Sequence, residues 1–192
     1  MPPRLISSTA KSAFLSAQRN RSALTGREVT FDTNDIIVSK TDSKGVIRYV
    51  NDVFIRVSQY LESELLGAPH SILRHPAMPR CVFKFMWDTI STGNEMFAYV
   101  VNRTKMGDSY WVFAHVTPTL GEDGQLIGYH SSRRKPDAQA VERVRSIYAA
   151  LLAEEARHES KAAGLDASLS LLLKTIAATG MCYEEFIFTL AA

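Results

Sequence analysis

Residues 101–112 read VNRTKMGDSYWV, and the segments on either side of the KMGDS loop at 105–109 are rich in apolar and aromatic residues. The glycine at 107 favours a tight connection between two neighbouring strands. We therefore predict antiparallel strands over 97–104 and 110–118. Pro118 is expected to end the regular pairing of the second of these strands, because proline has no backbone N–H to donate.

A second hairpin precedes this one. Residues 36–41 (IIVSKT) and 46–50 (VIRYV) flank the turn DSKG at 42–45, and a fifth strand is expected over 126–132 (LIGYHSS). The segments between the hairpins have helical spacing, and the predicted helices are 52–58, 61–66, 71–74 and 80–92. The sequence thus predicts an α+β fold, in which a five-stranded antiparallel sheet has its helices inserted between strands 2 and 3.

Helical patterns flank this central unit on both sides. The predicted domain organisation is an N-terminal helical cap at 1–30 (helix 4–24), a central domain at 31–135 and a C-terminal helical extension at 136–192. The strand at 110–118 carries apolar residues on both faces, so we expect the N-terminal helix, from the same chain or from the partner in a homodimer, to cover the outer face. The last helix, 182–190, is too short to be stable alone. It either folds back on the helix after residue 141 or docks on a partner.

Composition excludes several classes of function. The chain has 192 residues, 46% of them hydrophobic, and 22 Lys and Arg against 20 Asp and Glu, which gives no basic excess for nucleic acid. The chain has only two cysteines, far apart, and shows no signal-peptide pattern, so we expect a cytoplasmic protein. It has no run of eighteen apolar residues, so we expect no membrane span. No catalytic or metal-binding motif is present, so we predict neither catalytic nor metal-ligating residues and expect a protein that is not an enzyme.

Residues 31–135 resemble a PAS domain, and specifically the flavin-binding PAS module of bacterial aerotaxis receptors. The matching stretches are TDSKGVIRYVNDVF (41–54), GAPHSILRHPAMP (67–79), FKFMW (83–87), the run 101–112 and IGY (127–129). Within them, the RHPAMP run and the NRTKMGDSYW run are the most specific to this subgroup. The resemblance covers just over half of the chain.

The resemblance implies a redox or oxygen sensor that holds FAD between the sheet and the long helix. In related modules the asparagine that ends the second strand and the Arg-His pair contact the cofactor, which here are Asn51, Arg74 and His75. The full set of candidate cofactor-binding residues is Asn51, Phe54, Arg74, His75, Phe83, Trp87, Met96 and Asn102. Six of the eight also have a structural explanation: Asn51 can cap the helix that begins at 52, the aromatic residues can fill the core, and Arg74 and His75 can be ordinary loop residues.

Two positions depart from the family pattern and leave alternatives open. Ala77 stands where the family commonly has an acidic residue, and Met96 stands where it commonly has a tryptophan. The alternatives are haem bound through His70 or His75, another ligand, or a cofactor-free module that works by dimerisation. The expected partner is a chemotaxis receptor or its kinase complex, with this chain acting beside a separate receptor.

Overall fold

The structure is a computed structural model, and it describes residues 22–191. Five strands form one antiparallel sheet in the spatial order β2-β1-β5-β4-β3. The strands are β1 (Ile37–Asp42), β2 (Ile47–Val50), β3 (Met96–Arg103), β4 (Ser109–Leu120) and β5 (Leu126–Arg134). The predicted five-stranded antiparallel sheet is confirmed.

The helices divide into an inserted group and a C-terminal group. Between β2 and β3 lie α1 (Asp52–Ser58), α2 (Glu62–Leu65), a 3₁₀ turn (His70–Leu73) and α3 (Arg80–Ser91). After β5 come α4 (Ala138–Ala156), α5 (Lys161–Ala177) and α6 (Tyr183–Thr189). The placement of helices between strands 2 and 3 is also as predicted. Within residues 22–191, no helix combines the length and the apolar character needed to cross a membrane.

The turn between β1 and β2 lies against α3 and forms part of the wall of a cavity between the sheet and this helix. Asp42 Oδ1 accepts hydrogen bonds from the backbone N–H groups of Lys44 and Val46, at 3.0 and 2.9 Å. Gly45 closes the turn with φ +76°, and a Cβ atom placed there would lie 2.9 Å from Cη2 of Trp87. Glycine is therefore required at this position both for its backbone conformation and for the close approach of the α3 indole ring.

Strand β4 continues past its proline. Pro118 pairs with Tyr129 of β5, and the register shifts only between Thr119 and Leu120. The prediction that regular pairing ends at Pro118 is therefore wrong. On the other side of β4, β3 begins at Met96, opposite Val116, so no β3 residue faces the proline. The missing N–H is then harmless, since that side of the strand has no partner to bond.

The C-terminal helices cover the free edge of the sheet at β3. The hydroxyl of Tyr148 on α4 donates to the carbonyl of Tyr99 at 2.6 Å, and the hydroxyl of Tyr183 on α6 donates to the carbonyl of Phe97 at 2.7 Å. An exposed strand edge invites pairing with other chains, and these helices block it. Phe188 of α6 also packs on Phe97, with ring centroids 4.9 Å apart.

The C-terminal helices therefore cover part of the outer face of the sheet near β3 and β4. The N-terminal helix predicted over 4–24 as the cover of this face lies mostly outside the described residues. Residues 22–24 have no regular secondary structure, and residues 25–29 run beside the start of β4, where Val29 N–H donates to the Ser109 carbonyl at 2.8 Å. Arg27 pairs there with Asp108 at 2.8 Å.

The last helix folds back on its own chain. Phe186, Ile187 and Leu190 are buried, and they pack in a cluster with Val82 of α3 and Val144 of α4. The intramolecular alternative for this segment is therefore confirmed.

Candidate functional site

A cavity of about 590 Å³ lies between the inner face of the sheet and α3. Its volume falls within the range of roughly 300–1,000 Å³ that is usual for small-molecule sites. The apolar walls come from both layers: Phe83, Met86, Trp87 and Ile90 from α3, and Val100, Ala114, Val116 and Tyr129 from the sheet. A flat, largely apolar ligand would thus contact protein on both sides.

The charged residues that line the cavity are all cationic. They are Lys44, Arg74, Arg80, Lys84 and Arg133, and no Asp or Glu is among the described lining residues. Arg80 is paired with Glu155 at 2.8 Å and Lys84 forms an ion pair with Asp88, one helical turn away. A site with this charge distribution favours a ligand that carries negative charge.

Arg133 of β5 forms the base of the cavity on the sheet side. Its Nη2 donates to Ser39 Oγ at 3.0 Å and to His70 Nε2 at 2.8 Å, and its guanidinium lies 5.6 Å from the centre of the Phe54 ring. Burial lowers the pKa of Arg133 to about 10, so the side chain stays charged at neutral pH. Among residues 22–191, its Nη1 has no hydrogen-bond partner, and neither has Ser131 Oγ on the same strand.

His70 lines the cavity beside Arg133. Because arginine can only donate, Nε2 of His70 accepts this hydrogen bond, so the imidazole is neutral and its proton is on Nδ1. Burial and the adjacent guanidinium of Arg133 lower the pKa of His70 to about 3. This arrangement disfavours the haem alternative through His70, since its Nε2 is already engaged by a cation.

Arg74 lies at the α3 side of the cavity. Its guanidinium lies over the Phe83 ring, 4.6 Å from the ring centre, which favours a defined position for the cation. Burial and the neighbouring Arg80 lower the pKa of Arg74, and Glu155 acts in the opposite direction. Trp87 packs edge-on against Tyr129 with ring centroids 5.4 Å apart, and 38% of its surface remains exposed.

Four of the eight candidate residues line the cavity together: Arg74, Phe83, Trp87 and Asn102. The other four, Asn51, Phe54, His75 and Met96, are not among the lining residues. The side-chain oxygen of Asn51 accepts from the N–H groups of Val38 and Phe54, at 3.0 and 3.1 Å, and its amide donates to the Ile36 carbonyl at 2.8 Å. Asn51 therefore caps α1 and joins it to β1.

The remaining three residues have structural surroundings of their own. Phe54 is buried beneath the Arg133 guanidinium and meets the His70 ring edge-on at 6.1 Å. His75 is half-buried, and its Nδ1 accepts from Ala77 N–H at 3.1 Å. Met96 is buried at the start of β3, opposite Val116.

Polar residues that were not predicted as flavin contacts also line the cavity: Ser131 and Arg133, which were not predicted from the sequence, and His70, which was considered only as a haem ligand. The signal for two of them was the alternation along β5. Tyr129, Ser131 and Arg133 are spaced by two residues and share one face of the strand, so all three point inward if Tyr129 does.

The sequence and the fold are similar to those of known proteins. Residues 47–133 match a family model described as the PAS fold. Residues 47–133 are a PAS domain. The aerotaxis receptor of Escherichia coli K12 is 40% identical over 115 residues, which are 60% of this chain and 22% of the receptor. The match confirms the resemblance drawn from the quoted motifs.

A second curated relative matches at lower identity. The nitrogen fixation regulatory protein of Klebsiella pneumoniae is 28% identical over 99 residues, which are 52% of this chain and 20% of that protein. The chain thus spans about a fifth of the length of these two curated relatives. Among solved structures, the blue-light photoreceptor Aureochrome1 LOV superposes with a TM-score of 0.51 at 21% identity, covering 55% of this chain and 85% of that one. At this identity, the structural similarity supports the fold alone. By their names, these two curated relatives are a receptor and a regulatory protein.

Proposed function

We propose that this chain is a non-catalytic, flavin-binding sensor of redox or oxygen state, and that the flavin is FAD. The observation that carries the proposal is the cavity lined by α3 aromatic residues and by cations without a lining carboxylate. The planar apolar ring of a flavin suits the space between Phe83, Trp87 and the sheet, and the diphosphate of FAD suits the cations. The 40% identity to the aerotaxis receptor supports the same reading.

Each part of the site would hold a different part of the cofactor. Arg74, held over Phe83, would pair with phosphate together with Lys44, whereas Asn102 offers an amide to the ring. The unpartnered Nη1 of Arg133 is a buried donor that the cofactor can satisfy, so the residues present fit the group. A bound flavin supplies reversible electron uptake, and the protein residues supply binding, orientation and charge.

We further propose that the C-terminal extension, residues 136–192, reports the state of a PAS domain spanning 31–135. Glu155 of α4 accepts from the backbone N–H groups of Arg80 and Cys81, at 2.7 and 3.2 Å, and so caps the start of α3. Arg80 also donates to the Lys161 carbonyl at 2.8 Å, and Leu165 of α5 lines the cavity. A ligand that moves α3 therefore acts directly on α4 and α5.

The proposed partner of this extension is a chemotaxis receptor or its kinase complex, in the cytoplasm. The relationship to a receptor that mediates aerotaxis supports this assignment. Hydrogen exchange of α4 and α5, measured with and without FAD, tests the output role. Protection that changes in both helices supports it, and protection that changes only around the cavity contradicts it.

Replacement of Arg74 tests the binding site. Arg74→Ala is expected to weaken FAD binding on the order of 10- to 100-fold, the range for losing one hydrogen bond to a charged group. Arg134→Ala is the matched control, because Arg134 is exposed and lies outside the cavity lining. Equal FAD affinities for Arg74→Ala and wild type would contradict the proposed site.

A further inference from the structure

Two buried polar atoms on β5, Ser131 Oγ and Arg133 Nη1, line the cavity and have no hydrogen-bond partner in the described part of the chain. The two residues have only 6% and 5% of their surface exposed. They lie two positions apart on one strand, so their side chains project from the same face of the sheet. An unsatisfied buried polar atom destabilises the folded state, because it has lost its hydrogen bonds to water. Two of them side by side in a cavity therefore indicate a ligand group that provides the missing partners.

The guanidinium of Arg133 is fixed in place. Its Nη2 is held by Ser39 on β1 and His70 on the 3₁₀ turn, which leaves Nη1 as the atom for a ligand. The ion pairs of residues 22–191 do not include Arg133, and the neutral His70 supplies no negative charge. No carboxylate of residues 22–191 pairs with Arg133, so its charge is available to a ligand.

The cations of the cavity fall into an inner and an outer set. The outer set includes Lys44, which is exposed, and Arg74, which is half-buried, together with Arg80 and Lys84 on α3, whose side chains are 32% and 47% exposed. Arg133, by contrast, is buried on the sheet. Around the inner position the sheet contributes apolar side chains, including Ala114 and Val116. Phosphate groups are strongly hydrated and suit the outer set. A ring edge with carbonyl oxygens can lose its water at the inner position, because each oxygen gains a hydrogen bond there.

That the ring is a flavin rests on the proposed function. We propose that Arg133 Nη1 and Ser131 Oγ bind the carbonyl-bearing edge of the flavin ring at the inner end of the cavity. The phosphates of the cofactor then remain with the outer cations. The inner subsite recognises the ring itself, and so it acts equally on every flavin, whatever the chain attached to the ring.

A comparison of ligands that differ only outside the ring tests this assignment. The dissociation constants of FAD, FMN and riboflavin are measured for the full chain and for Arg133→Met, Arg133→Lys and Ser131→Ala. Arg133→Met is expected to weaken all three ligands by the same factor, on the order of 10- to 100-fold, and Ser131→Ala by about 2- to 10-fold. Arg133→Lys keeps the charge and is expected to lose less than Arg133→Met. Arg134→Met and Ser132→Ala are matched controls, since they are the adjacent residues on the opposite face of β5.

Each outcome decides the assignment. A loss confined to FAD and FMN, with riboflavin unaffected, would place the guanidinium at the phosphates and overturn the proposal, as would unchanged affinities for all three. If Arg133→Met does not fold, Ser131→Ala and Arg133→Lys give the same comparison. If the wild-type chain binds no flavin, the proposed function fails, and the subsite is tested separately with barbiturate, an anionic ring that carries carbonyl oxygens. Thermal stabilisation by barbiturate that disappears in Arg133→Met or Ser131→Ala would support the subsite, and its absence in wild type would overturn it.

Discussion

Removal of the Glu155 carboxylate should destabilise the fold at the start of α3. This side chain is 8% exposed, and it accepts four hydrogen bonds: from the backbone N–H groups of Arg80 and Cys81, from Arg80 Nε at 2.8 Å and from Ser168 Oγ at 3.3 Å. Glu155→Ala removes the acceptor of Arg80 Nε and of the two backbone N–H groups. Breaking a buried pair from one side costs about 3–5 kcal/mol. In a chain of this size this corresponds to a fall in Tm of roughly 6–20 °C.

Urea denaturation followed by circular dichroism measures this effect as a shift of the midpoint at constant slope. Glu155→Gln retains an acceptor oxygen for the backbone, so about half of the loss is expected. Glu159→Ala is the control, because Glu159 is exposed, and such a surface change should stay within about 0.5 kcal/mol of wild type. If Glu155→Ala were as stable as this control, the carboxylate would not hold α3 to the extension, and our account of the output route would be wrong.

Two further predictions concern stability. Phe186→Ala should lower the free energy of unfolding by about 3 kcal/mol, because Phe186 is buried between α6 and the core. Phe188→Ala, at a position that is 48% exposed, should lower it by less than half as much. Equal losses in urea denaturation would contradict the docking of α6. His70 has a pKa lowered to about 3 in the folded state, so it contributes stability above its unfolded pKa of about 6.5 that is lost as the pH falls towards 3. We expect wild type to lose about 2 kcal/mol more than His70→Gln between pH 7.5 and pH 5, and parallel pH profiles of stability would refute this assignment.

The sequence predicted the elements of the fold well because their signals are local. Turns at Asp42–Gly45 and around Gly107, alternation along the strands and spacing along α3 each depend on neighbouring residues. Cover of the β3 edge could not be predicted in the same way. It depends on the hydroxyl groups of Tyr148 and Tyr183, which reach carbonyls about 50 and 86 positions away along the chain.

The candidate site was predicted in part for a related reason. Motif resemblance identified Arg74, Phe83, Trp87 and Asn102, which line the cavity, but it gave equal weight to Asn51, whose hydrogen bonds are all local to α1 and β1. Arg133 was missed because its environment is made by Ser39 and His70, far away in sequence. Only the three-dimensional structure reveals that this arginine is buried and that no carboxylate of the described residues pairs with it.

The absorption spectrum of the purified full-length chain, alone and after incubation with FAD and removal of excess ligand, tests the central claim most directly. We predict stoichiometric FAD bound to wild type, with flavin bands near ~375 and ~450 nm that arise from the cofactor itself, and markedly less bound to Arg74→Ala. A folded wild-type chain that remains colourless after incubation with FAD would contradict the claim that this cavity is a flavin site.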